Sequence, residues 1–303
     1  MILWAVHIAD GVLTMPWVAG GFVGAALLAV FAAWRLREEE LPRIALLTAA
    51  FFVASSIHVQ LGPSSAHLLL NGLLGIVLGR RAPLAILVGV TLQALLLQHG
   101  GPSTIGVNTC DMAIPALLAW GLYTLVRRLP WARHGWFRTA LVAGSAVVWF
   151  ATLVYAFELL ASNMPESIAG FSSFLHAYNG TIDPTQANAV ILYPATLLII
   201  AILAAVTAWA ERRLENQPEF ALGLLIGEFA VLATLACYCT VLVLGGADDW
   251  RVLAVATLLV HLPIVAVEGT VLGFTVGYLA RVKPELLGEA AKENEPCAVG
   301  AAD

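Results

Sequence analysis

Charge is what this chain has least of. Only 12% of its 303 residues are Asp, Glu, Lys or Arg, against about 25% in a soluble domain. With 60% hydrophobic residues and a mean hydropathy of +0.87, too little polar material remains to cover a water-facing surface, which excludes a soluble enzyme and a disordered chain alike. Cysteine is scarce and scattered (Cys110, Cys237, Cys239, Cys297), which excludes a disulfide scaffold and paired-thiolate metal sites. The sequence has no G-x-x-x-x-G-K-[ST] loop for a nucleotide and no H-E-x-x-H zincin helix. It has no G-x-S-x-G nucleophile elbow. No two histidines stand four apart on one helix, as a di-iron membrane oxygenase would require. No stripe of Lys and Arg exists for a nucleic acid, and the net charge of -5 is small.

Apolar length is what the chain has in quantity. About nine stretches approach the length of a bilayer span, at roughly 16–34, 42–60, 64–79, 82–98, 111–126, 137–161, 187–210, 219–244 and 252–280. The third and fourth are short and are divided by Gly79-Arg80-Arg81, a polar turn. Basic residues gather in cytoplasmic loops, and here they fill every second loop. Of the 15 Lys and Arg, all but Arg251 follow an odd-numbered stretch: Arg35, Arg37 and Arg43, then Arg80 and Arg81, then Arg127, Arg128, Arg133 and Arg138, then Arg212 and Arg213, then Arg281, Lys283 and Lys292. The pattern predicts an all-α polytopic membrane protein with an outer N-terminus and an inner C-terminus. The polar tail 288–303 reads as a disordered cytoplasmic end.

Three segments are unusual for a membrane chain. His7-Ile8-Ala9-Asp10-Gly11 precedes the first span. His58 and His67 flank Gly62-Pro63-Ser64-Ser65, and His99-Gly100-Gly101 opens a loop running to Asn108. With this topology His7, His58, His67, His99 and His176 fall at or near the outer face, His134 is cytoplasmic, and His261 sits inside the last span. Glycine lets backbone approach a ligand closely, and irregular backbone at membrane depth is tolerated where it lines a cavity. Convergent imidazoles suit cobalt, nickel, copper and zinc. Turns between short helices are the plainer reading of the same segments.

These segments resemble the CbiM/NikM family, the substrate-binding membrane components of energy-coupling-factor importers for cobalt and nickel. The resemblance rests on the N-terminal His-Ile-Ala-Asp-Gly and on Gly62-Pro63-Ser64-Ser65-Ala66-His67-Leu68-Leu69-Leu70-Asn71-Gly72-Leu73-Leu74-Gly75. It continues through Gln93-Ala94-Leu95, His99-Gly100-Gly101 and Gly106-Val107-Asn108, and closes with His261-Leu262-Pro263, Glu268-Gly269 and Arg281-Val282-Lys283-Pro284-Glu285. It covers roughly 6–130 and 219–287, and the cobalt branch is the nearer. The resemblance implies a seven-helix core, in two parts at 6–130 and 216–287. The stretch 131–215, with its outer loop 162–186, then reads as a two-span insertion.

The resemblance also implies a substrate site for a divalent ion in near-square-planar nitrogen geometry. Its donors are the N-terminal amine, the backbone nitrogen and imidazole of a second-position histidine, matched by His7, and a distal histidine, matched by His67. Amine, adjacent amide nitrogen and imidazole close two chelate rings, which favours square-planar ions over tetrahedral zinc. Here six residues precede His7. The expectation that restores the amine takes Val6 as the true start, its valine codon initiating as Met, with residues 1–5 an overlong start. His58 and His99 are candidates for the surroundings of the ion or its approach route. Asn108 either donates to a ligand imidazole or caps a helix, and Asp10 either orients His7 or caps. His261 and Glu268, seven apart on one helical face, are structural or partner-interface candidates, with Glu228 a possible neighbour. Gly20 and Gly24 form a small-residue pair that could dock a partner.

The function implied is high-affinity recognition and ATP-driven import of Co²⁺ for cobalamin biosynthesis, from a multi-pass position in the cytoplasmic membrane. Ni²⁺ is the alternative substrate. A secondary metal transporter or a membrane metalloenzyme using the same histidines is the reading from another class. The chain would be no enzyme and hold no cofactor of its own. Its implied partners are a transmembrane coupling subunit, cytoplasmic ATPase subunits and a small CbiN/NikN-like membrane protein.

Overall fold

The computed structural model describes residues 7–57, 59–61, 64–129 and 219–288, with positions 135, 136, 140 and 144 between them. Val6, His58, nearly all of the expected insertion and the tail beyond Gly288 lie outside the described residues. Seven α-helices are described: α1 (Met15–Ala33), α2 (Leu41–Ser56), α3 (Asn71–Leu78), α4 (Ala82–Leu96), α5 (Ile105–Val126), α6 (Glu219–Gly245) and α7 (Arg251–Val282). A short antiparallel hairpin, β1 (Val59–Leu61) with β2 (Ser64–Ala66), joins α2 to α3. Prolines stand in the first turns of α1, α2 and α4, where the missing N–H is no loss. The protein is a multi-pass helical membrane protein. Among the described residues, four helical stretches are long and apolar enough to cross a bilayer, Met15–Ala33, Pro102–Val126, Glu219–Gly245 and Ile264–Val282, and the apolar run Asn71–Leu96 reaches that length only as two helices joined at Gly79.

Successive helices alternate in direction, and bonds at the two ends of the bundle show it. At one end Thr14 N–H donates to Gly245 O at 2.9 Å and Ala247 N–H to Val12 O at 2.9 Å, tying the start of α1 to the end of α6. At the other end Arg127 donates to the carbonyls of Leu287 and Gly288, joining α5 to the chain beyond α7. Arg35, Arg37, Arg43, Arg80, Arg81, Arg281 and Lys283 share that second, basic end.

The chain turns back between α3 and α4 through a short 3-10 turn, Gly79–Arg81. A left-handed φ of +55° at Gly79 sends α4 back alongside α3, so that His67 and His99 meet again at the far end. The sequence predicts a span over 64–79; the structure makes only Asn71–Leu78 helical. The reason is local. The amides of Leu69 and Leu70 are bonded to Glu268, and Leu70 takes a left-handed conformation (φ 48°), so the helix begins only after it. At about 1.5 Å per residue the eight residues of α3 supply about 12 Å, less than half a hydrocarbon core.

Helices α6 and α7 make the tightest pairing. A Cβ on Gly223 would lie 2.9 Å from Gly273 Cα, and one on Gly227 2.8 Å from Gly269 Cα. Two facing Gly-x-x-x-Gly pairs thus let the backbones touch. Of the small residues singled out in the first span, Gly24 packs toward Cys110 Sγ of α5, whereas Gly20 has no atom within 4 Å of a built Cβ. Gly20 shares the open side of α1 with Val23, Leu27 and Val30, all more than half exposed.

One side chain organises the basic end. Arg81, 5% exposed, donates to Ala32 O at 2.5 Å, Trp34 O at 2.9 Å and Arg35 O at 2.8 Å. It also bonds both carboxylate oxygens of Glu40, at 3.1 and 2.7 Å. It therefore satisfies the orphan carbonyls ending α1 and fixes the start of α2. Arg81→Met is expected to cost about 1.5–3 kcal/mol, read as a lower Tm in detergent. The Arg81 hydrogen bonds, with the Arg37 amide, hold the Glu40 carboxyl down at about 2 from an ordinary 4.5. Because the folded value is depressed, this contribution is complete above pH 4.5 and is lost as pH falls toward 2. The Tm gap between the native chain and Glu40→Gln should therefore narrow on acidification over that window.

Candidate metal centre

Within residues 7–13, His7, Ile8, Val12 and Leu13 are buried while Asp10 and Gly11 are exposed, and Ile8 belongs to a cluster with Val107 of α5, Tyr238 and Leu242 of α6 and Ala254 of α7. Tyr238 is seven residues before the end of α6, about 10 Å below it. The sequence places His7, His67 and His99 at or near the outer face. The structure recesses them among helices, with His7 5% and His67 2% exposed and His99 half-buried.

Asn108 fixes this segment. Its Oδ1 accepts from Ile8 N–H at 2.8 Å and its Nδ2 donates to Ile8 O at 3.0 Å, so one amide grips both backbone groups of the residue next to His7. Thr104 adds a second donor to Ile8 O at 2.6 Å. Asn108 was expected to serve an imidazole or a helix start; it serves the backbone of Ile8. Asp10 Oδ1 accepts from Ser103 N–H at 2.9 Å and from the Ser103 hydroxyl.

His67 lies in the extended stretch between β2 and α3. Its Nδ1–H donates to Leu68 O at 3.0 Å; since a carbonyl only accepts, the tautomer is set and Nε2 carries the lone pair. The following amides of Leu69 and Leu70 point together at the Glu268 carboxylate of α7, with Leu70 N–H at 3.0 Å from Oε1 and 3.2 Å from Oε2. Successive N–H groups around a left-handed residue form a concavity for an anion, and here an intramembrane glutamate fills it. Glu268 thus holds the chain two residues beyond His67. Glu268 was singled out with His261 because they share a helical face. His261 itself is fully buried and donates from Nδ1 to Thr257 O at 2.8 Å within its own helix.

His99 is presented by a contorted turn. Gln98 (φ 52°) and Gly100 (φ 80°) on either side of it are both left-handed, and His99 N–H donates to Gln93 O at 3.1 Å. A Cβ on Gly100 would lie 2.8 Å from Asn108 Nδ2 and 3.3 Å from His7 Cβ, so only glycine fits. The Gln93 side chain is anchored on Ser55 of α2. Backbone held in such regions marks functional positions more often than ordinary loops.

The outcome is a cluster. Among the described residues, His7, His67 and His99 form the group able to hold a metal ion, with one ligand atom of each within 4.8 Å of the others. The rings of His7 and His67 lie 5.3 Å apart and nearly parallel, at 24°. The His99 ring stands almost perpendicular to both, at 4.7 Å and 86° from His7 and 4.9 Å and 89° from His67. Three borderline-soft nitrogens drawn from three separate stretches of chain can bind a first-row divalent ion. Sequence reasoning paired His7 with His67 and left His99 outside. It also missed the Glu268–Leu69–Leu70 bond, while it read the His99 segment as a glycine-rich loop or turn. The glycines at 100 and 101 were its clue to that turn.

Comparison with known proteins gives the same direction. The family CbiM, described as the cobalt uptake substrate-specific transmembrane region, matches residues 7–185 and 185–286. A protein of Haemophilus influenzae named for metal transport is 43% identical over 117 residues, covering 39% of this chain and 57% of its own length. The cobalt transport protein CbiM of Moorella thermoacetica is 33% identical over 196 residues, 60% of this chain and 73% of that protein. A crystal structure of a transition metal transporter superposes with a TM-score of 0.52 at 18% identity, over 91% of this chain and 93% of the other.

Proposed function

Because the chain belongs to the CbiM family of cobalt-uptake transmembrane regions, we propose that it recognises Co²⁺ as the substrate-specific component of an energy-coupling-factor importer. The convergence of His7, His67 and His99 inside the bundle carries this reading. His7 and His67 hold the ion, His67 through Nε2. The N-terminal amine joins them in a chain that starts at Val6, so that amine, His7 amide and His7 imidazole close two chelate rings. Asn108 and Glu268 do not touch the ion; they fix the backbone on which these ligands stand, and such outer partners set ligand orientation. Ni²⁺ accepts the same equatorial nitrogens and is the second substrate.

The basic end of the bundle faces the cytoplasm and the histidine end faces outward, where an incoming ion is met. The expected nine-span count, with two spans supplied by 131–215, keeps this orientation for α6 and α7. The sequence carries no nucleotide loop, so the energy comes from partners: a transmembrane coupling subunit, ATPase subunits and a small CbiN-like protein.

The test is radioactive Co²⁺ uptake by cells carrying the chain with its coupling and ATPase subunits. Uptake is expected to depend on all of them and to collapse when the ATPase is inactivated. Full uptake with an inactive ATPase would overturn ATP-driven import. Intact mass of the metal-loaded protein is expected to show a first residue at position 6. Residues 1–5 attached in the loaded form would remove the amine from the donor set.

A further inference from the structure

Resting on the site just proposed, we infer that His99 is an apical ligand, its ring perpendicular to the nearly parallel rings of His7 and His67, and that it tilts the site toward Co²⁺ over Ni²⁺. The warrant is the mutual orientation of the rings. An imidazole chelating through the same residue's backbone nitrogen must lie close to the plane of its own chelate rings. The His7 ring therefore marks the orientation of the equatorial plane, and the His67 ring, 24° from it, is nearly parallel to it. An apical imidazole has a different requirement: its own plane contains the metal–nitrogen axis, so it stands perpendicular to the equatorial plane. The His99 ring makes 86° with His7 and 89° with His67, and its ligand atom belongs to the same group within 4.8 Å.

The backbone at His99 is built to present it there. Left-handed residues flank it on both sides. Its amide is held by Gln93 O at 3.1 Å, and Gly100 brings the turn against His7 and Asn108. A histidine needed only for packing would not require two left-handed neighbours, one of them a glutamine.

The electronic consequence separates the two candidate ions. Square-planar nitrogen coordination suits low-spin Ni²⁺, whose eight d electrons fill the orbital along the axis and repel a fifth donor. Low-spin Co²⁺ has one electron fewer and leaves that axial orbital half-filled, so it accepts one apical nitrogen. A fixed apical imidazole therefore adds affinity for Co²⁺ and little for Ni²⁺.

The experiment uses the full chain with its natural partners, loaded with CoCl₂ or NiCl₂. Electron paramagnetic resonance of the Co²⁺ form reads the axial orbital directly. One apical ¹⁴N is expected to split the axial lines into triplets, and growth on ¹⁵N-histidine to turn them into doublets. His99→Ala should abolish the splitting and weaken Co²⁺ binding about 10–100-fold, with Ni²⁺ binding changed by less than about threefold. Free imidazole should restore both splitting and affinity, which a purely structural role would not allow. Triplets that persist in His99→Ala, or equal losses for the two ions, would overturn the assignment. Should that variant fail to fold, the labelled native protein decides: triplets unchanged by ¹⁵N-histidine exclude an apical histidine. The underlying site has its own control, since unimpaired binding of both ions by His67→Ala would remove that reading whatever His99 does.

Discussion

Replacing His67 by alanine is expected to weaken Co²⁺ and Ni²⁺ binding by at least about 100-fold, a loss of about 2.7 kcal/mol, and to abolish uptake at trace metal concentrations. Among the proposed ligands, His67 comes from a part of the chain remote from the proposed N-terminal chelate. Its loss turns a closed nitrogen set into an open one. The fold should survive the change. The bonds holding this stretch to α7 are made by the amides of Leu69 and Leu70, while the imidazole Nδ1 donates to the next carbonyl along the chain. The expected signature is lost metal with little change in Tm, measured by metal analysis and thermal unfolding of one preparation.

Glu268 is expected to behave in the opposite way, losing stability and metal together. Glu268→Leu fills similar space but leaves the Leu69 and Leu70 amides without an acceptor in the membrane interior. At about 1–3 kcal/mol for each stranded group, the change should cost about 2–6 kcal/mol and release the strand that positions His67. Glu268→Gln keeps one carbonyl acceptor and brings a competing N–H₂, so it should fall between the two, with weaker metal binding and a partial drop in Tm. The check is metal titration beside thermal unfolding of Glu268→Leu, Glu268→Gln and His67→Ala. Equal stability of Glu268→Leu and the native chain would remove the role given to this carboxylate.

Helix positions were legible because a bilayer imposes one length and one polarity on whatever crosses it. Arg80 and Arg81 marked a turn correctly, although Arg81 proved to be a buried clamp and not a solvated charge. Helix α3 was misjudged for a physical reason. Leu68, Leu69 and Leu70 are as apolar as any helical residue, and what holds Leu69 and Leu70 outside the helix is a carboxylate about two hundred positions away, which no local pattern can reveal. His7 and His67 stood out through their motifs, whereas His99 needed the geometry of two left-handed residues whose identity, Gln98 especially, gives little sign of it. The facing pairs Gly223/Gly227 and Gly269/Gly273 stand in the sequence at the spacing that close helix contact requires.

The cross-chain bonds around the histidines also fix when this site can come into being. Ile8 is held by Asn108, Thr14 by Gly245, and the strand after His67 by Glu268. A ribosome delivers His7 first and Glu268 among the last, so the early histidines must wait through nearly the entire synthesis for their supports. Contacts this distant along the chain form late. A chain half made therefore lacks the supports of the proposed site, and a product truncated before α7 is expected to bind the ion weakly.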